Sequence, residues 1–130
     1  MKRFIAIIVI CAFLIGIAVF EELYAKNFIN TLTQKAENIE ASINLNKENI
    51  DNEKVNNSYN DLKAYWDKSK KVLCYFTNYE KIKNIDESIV KIDIAIEYNE
   101  ISLAIENITV IKEYEQIFKN IIGFNINNLL

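Results

Sequence analysis

Seventeen consecutive residues near the start of the chain, 4–20 (FIAIIVICAFLIGIAVF), carry no charge and no strong hydrogen-bonding side chain. Wound as a helix they span about 26 Å at ~1.5 Å per residue. The hydrocarbon core of a bilayer is ~30 Å thick, so the run sits at the short end of a spanning helix. Lys2 and Arg3 precede it and can snorkel to the headgroups, and Glu21 and Glu22 close the far end. The charge bias predicts a single-pass anchor in the cell membrane, with the N-terminus cytoplasmic and residues 21–130 extracytoplasmic. A cleaved signal peptide is the competing reading, with Gly16-Ile17-Ala18 as a small-residue cleavage site. Its apolar stretch is normally ~7–15 residues, shorter than this one. Cys11 does not mark a lipoprotein, because Ile10 stands where a small residue is needed.

The rest of the composition closes off most alternatives. Proline is absent, and Gly16 and Gly123 are the only glycines, too few for the tight turns of a sandwich or barrel. Clustered glycines for a phosphate-binding loop are missing too. With no histidine, Ser-His, Cys-His and His-ligated metal sites are excluded. Residues 21–130 hold thirteen lysines against eighteen acids, a net charge of −5 with no basic stripe for nucleic acid. Cys74 is the one cysteine beyond the apolar run, so no disulfide can close within this region.

Periodicity then predicts an all-α fold: the N-terminal helix continues outward into an antiparallel bundle of three to four helices. Ala25, Ile29, Leu32, Ala36, Ile39 and Ile43 repeat at alternating steps of four and three, a heptad seam. The Asn-rich stretch 44–52 interrupts it, since Asn competes for backbone hydrogen bonds and favours turns. Val55, Tyr59, Leu62, Trp66, Ser69, Leu73 and Phe76 form a second seam of the same spacing. Residues 78–86 read as a connection, with Asp86 as N-cap of a third helix whose stripe is Ile85, Ile89, Ile92 and Ile96. A phase break falls at 98–100. The fourth helix carries a polar seam, Ser102, Glu106, Thr109, Glu113, Gln116 and Asn120, and is apolar around most of the remainder. Gly123 suits a left-handed C-cap, with the tail 124–130 then lying across the bundle. The expected organisation is an anchor at 1–20 and a bundle at 21–130, with helices at about 21–45, 52–77, 86–98 and 100–121.

Candidate chemistry is sparse. Glu97 with Glu100, and Glu113 with Glu115, are the carboxylate pairs considered for acid-base work; the first shares a helical face only without the break at 98–100, and the second cannot, because residues two apart on a helix point away from each other. Cys74 has no activating base at a defined position and reads as a structural thiol. Trp66 reads as a core aromatic whose indole N–H reaches a polar neighbour. Tyr65, Tyr75 and Tyr79 lie off the seam and form the best candidate for an exposed partner patch. No catalytic, cofactor-binding or metal-ligating residue is assigned.

The order of parts is familiar: an MKR start to the anchor, a long polar helix, and a Trp-containing helix (DLKAYWDKSKKVLCYFTN). The segments IDESIVKI and SLAIE follow, then the Asn-rich tail NINNLL. This resembles the clostridial domain-of-unknown-function 4363 family across nearly the whole chain. Members often carry a His beside an acidic residue after the second helix; Asn78-Tyr79-Glu80 stands there in this chain. The resemblance implies a membrane-anchored helical protein of unassigned function. Together with the residues it points to a non-enzymatic envelope component. Its partners are the lipid bilayer, through the N-terminal helix, and another membrane or envelope protein or a second copy of the chain. A sensory or small-ligand-binding bundle is the alternative; a pocket with converging polar groups between the helices is what it requires.

Overall fold

The computed structural model describes the backbone of residues 1–75 and 78–129, and side chains in those segments up to residue 117. It is all-α among the described residues, with α1 at Lys2–Leu45, α2 at Glu53–Leu73, α3 at Tyr79–Glu97 and α4 at Ile101–Leu129. Nothing in α1 breaks the helix between the apolar run and the first seam, so the two form one rod. At ~1.5 Å per residue it is about 66 Å long. Residues 2–21 are exposed along their whole circumference, whereas burial in α1 begins at Phe28 and follows Ile29, Leu32, Ala36, Ile39 and Ile43. Its first half is long and apolar enough to cross a membrane, judged by length and composition.

The second half of α1 is one wall of an up-down four-helix bundle. It packs on α2 and α4, and α3 closes the ring by packing on the same two. Each neighbour runs antiparallel to the last, as the polar links across the interfaces record. Lys35 pairs with Asp61 at 2.7 Å, Ser42 meets Ser58 at 3.1 Å, Lys70 pairs with Asp86 at 2.6 Å, and Lys112 reaches Glu40 at 3.1 Å. Exposed ion pairs of this kind contribute ~0–1 kcal/mol each, so they fix register more than they stabilise. The core is built mainly on the predicted seams: every α2 seam residue from Val55 to Leu73 is buried, and so are Ile85, Ile89, Ile92 and Ile96, whereas Ala25, the first position of the α1 seam, is only half-buried. Phe76 lies outside the described residues. On α4, Ser102, Glu106, Thr109, Glu113 and Gln116 form the exposed edge, while Ala104, Ile108, Ile111 and Tyr114 face the core.

Three boundaries differ from the sequence expectation. The third helix begins at Tyr79, not at Asp86: the Asn78 side chain caps it by accepting from the Glu80 N–H at 2.9 Å. Ile82 is buried and extends the stripe by one step of three, which outweighs the polar appearance of 78–86. Asp86 is therefore a mid-helix residue. The second helix ends at Leu73, short of 77, and turns at Cys74–Tyr75. Gly123 does not cap the fourth helix; α4 runs on through it to Leu129 in place of a tail crossing the bundle. One interior glycine costs a helix only about 1 kcal/mol, too little to end one of 29 residues.

Two turns close the end of the bundle away from the apolar run. In the α1–α2 loop, Asn52 caps α2 by accepting from the Val55 N–H at 3.0 Å and donates to the Asn49 carbonyl at 2.8 Å. The α3–α4 turn is a Schellman motif: Glu100 N–H reaches the Ala95 carbonyl at 2.8 Å, Asn99 N–H reaches Ile96 at 3.2 Å, and Asn99 is left-handed with φ 55°. Asn99 then spends its side chain on the other loop. Its Oδ1 accepts from the Ile50 N–H at 2.9 Å and its Nδ2 donates to the Glu48 carbonyl at 3.1 Å, tying the two turns together over buried Ile50.

Candidate interaction surface

The expected tyrosine patch divides. Tyr65 is half-buried; its ring stacks on Phe28 with centroids 5.8 Å apart, and the Lys35 ammonium lies 5.5 Å over its face. It belongs to the α1–α2 packing. Tyr75 and Tyr79 flank the α2–α3 corner and are 86% and 76% exposed. Val72 and Cys74 are exposed beside them.

A second exposed apolar feature lies on α3, which sequence reasoning missed. Val90, Ile94 and Tyr98 follow one another at steps of four, so they share one face, and they are 55%, 42% and 68% exposed. The face is opposite the Ile85–Ile89–Ile92–Ile96 stripe. Their step of four was available in the sequence, but the stronger isoleucine stripe on the same helix had already been assigned to the core.

Trp66 is buried, and its indole N–H donates to Asp86 Oδ1 at 2.5 Å, the polar neighbour anticipated for it. The other carboxylate oxygen takes Lys70 at 2.6 Å. Asp86 thus joins α2 to α3 across the least extensive of the four interfaces. That hydrogen bond, first, holds the Lys70 ammonium above its ordinary pKa; burial opposes it, and the adjacent negative charge of Asp86 adds to it. Tyr59 is pushed up to about 12 by burial, with Asp93 and then Asp67 adding to it. Neither group lines either of the two best-formed concavities.

The carboxylates considered for chemistry are dispersed. Glu97 ends α3, Glu100 follows the turn, Glu113 is exposed and Glu115 half-buried. Among the described residues, no three of Cys, Asp and Glu group closely enough to hold a metal ion. The two best-formed concavities lie at the surface, one along the apolar run at 12–21 and one beside the α1–α2 loop.

The family model for the Domain of unknown function (DUF4363) matches residues 19–129. The chain belongs to the DUF4363 family. The match starts at Val19, two residues before the first charge after the apolar run, and ends where α4 ends. The DUF4363 region of this chain is therefore the four-helix bundle, and its Asn78-Tyr79-Glu80 is the N-cap and first turn of α3. No curated protein and no solved structure matches the chain.

Proposed function

We propose that the chain is a membrane-anchored, non-enzymatic component of the cell envelope that binds another membrane or envelope protein through exposed helix faces. The carrying observation is the single helix α1. Its residues 4–20 offer only apolar side chains to their surroundings, and its second half is built into the core of a bundle. A helix of that kind is stable when the first half lies in lipid and the second in water. Lys2 and Arg3 before the run, with Glu21 and Glu22 after it, support an extracytoplasmic bundle. The Val90–Ile94–Tyr98 face supports protein contact, since an apolar stripe flanked by polar residues is what a helical partner covers. The surface position of the two concavities gives no support to the ligand-binding alternative.

Alkaline carbonate extraction of membranes, combined with a photocrosslinking residue at Ile94 or at Thr109, tests the proposal. The full-length chain stays in the membrane pellet, and Ile94 forms a discrete adduct whereas Thr109, on the polar edge of α4, does not. Release of an intact chain by carbonate, or equal adducts at both positions, contradicts it.

A further inference from the structure

We propose that the end of the bundle nearest the apolar run is itself a bilayer-binding surface, in which the α2–α3 corner rests on anionic lipid headgroups. The inference builds on the reading of residues 4–20 as a membrane span. Register comes first. Phe28 packs on Trp66 with ring centroids 6.1 Å apart. Counting along two antiparallel helices from that contact brings Cys74 level with about Phe20, where the apolar run stops. The Glu40–Lys112 pair likewise brings the end of α4 level with about Leu23. No linker separates the span from the bundle, so the corner meets the depth at which headgroups begin.

The residues placed there suit that depth. Tyr75 and Tyr79 are the two most exposed tyrosines of the bundle and Val72 lies beside them. Tyrosine partitions to the membrane–water boundary because one end of the ring is apolar and the other wet. Charge is the independent observation. The half of the bundle nearer Phe20 (21–33, 63–91 and 119–129) holds nine lysines and six acids. The far half (34–62 and 92–118) holds four lysines and twelve acids. The corner itself, 63–83, is the most basic part, with six lysines against Asp67 and Glu80. Lys68, Lys71 and Lys83 are exposed there; Lys83 pairs with Glu87 at 3.9 Å and Lys70 with Asp86 at 2.6 Å, just beyond this stretch. A molecule of net negative charge thus turns a positive end toward the membrane and a strongly negative end away from it. An anionic leaflet attracts the first within about a Debye length, ~8–10 Å, and repels the second.

The test uses the full chain and its own thiol. With Cys11→Ala, Cys74 is the sole cysteine and carries an environment-sensitive fluorophore. The protein is reconstituted into vesicles of phosphatidylcholine, with or without phosphatidylglycerol, that contain a headgroup-nitroxide lipid as quencher. Two further labels, on Cys11 with Cys74→Ala and on Lys47→Cys in a cysteine-free background, report the span and the far end. Quenching at Cys74 should exceed that at position 47 several-fold and increase with phosphatidylglycerol. Tyr75→Ser with Tyr79→Ser should lower it toward the position-47 value without changing helicity. If Cys74 is quenched no more than position 47 while an acyl-chain nitroxide quenches Cys11, the bundle stands off the bilayer and this proposal fails with the span intact. If Cys11 is not quenched either, the span reading falls and takes this one with it. Equal quenching at Cys74 in neutral and anionic vesicles overturns the charge argument.

Discussion

At Asp86 a single carboxylate replaces water for two donors, the buried Trp66 indole and the half-buried Lys70 ammonium. Removing it strands the indole N–H inside the α2–α3 interface. An unsatisfied buried donor costs about 1–3 kcal/mol, so Asp86→Ala should destabilise the bundle by about 2 kcal/mol. Asp86→Asn keeps an acceptor for the indole and should cost about half of that, with denaturant titrations followed by helical circular dichroism separating the two. Tyr59 makes a pH prediction. A phenol pushed up to about 12 in the folded chain keeps its proton where an unfolded tyrosine, near 10, has lost it. The folded state then binds more protons, so this contribution is complete below pH ~10 and is lost as pH rises toward ~12. Tyr59→Phe should flatten the stability profile across that window. An unchanged slope in the variant would place the alkaline loss elsewhere.

The heptad seams of α1 and α2 were legible because one buried stripe at steps of three and four identifies a helix whatever its neighbours are. The same reasoning found the break at 98–100 and the polar edge of α4. It misjudged the start of α3 because residues 78–84, ahead of the stripe assigned from Ile85, offer a single isoleucine, Ile82, among mostly polar residues, and Asp86 is a residue type that caps helices. Its partners Trp66 and Lys70 come from another helix, and no local pattern announces them. Asn99 was hidden for a similar reason. One of eighteen asparagines, it takes the left-handed position usually given to glycine and fastens the α1–α2 loop. Asn99→Gly should relieve the backbone but lose the bonds to Ile50 and Glu48. Asn99→Ala should lose the same bonds and also strain a left-handed residue, at about 1–2 kcal/mol. The alanine variant should therefore unfold at lower denaturant than the glycine variant, and the reverse order would show that the αL turn is not retained in solution.

For the whole molecule, the apolar run, the seams and the charge bias at its ends all read from sequence, and they converge in one rod that is apolar and exposed near its start and bundle core further on. How the rod sets the height of the other helices was not legible, since it depends on which residue of α2 meets Phe28. The central claim is that residues 4–20 cross the bilayer and the bundle stands outside it. A membrane-impermeant maleimide measures this directly on Lys47→Cys in a chain with Cys11→Ala and Cys74→Ala. Position 47 lies in the exposed α1–α2 loop at the far end of the bundle, about 38 Å along the helix axis from Phe20. With the wall permeabilised and the membrane intact, labelling should match that obtained after lysis. Labelling that appears only after lysis would place the bundle in the cytoplasm and contradict the account.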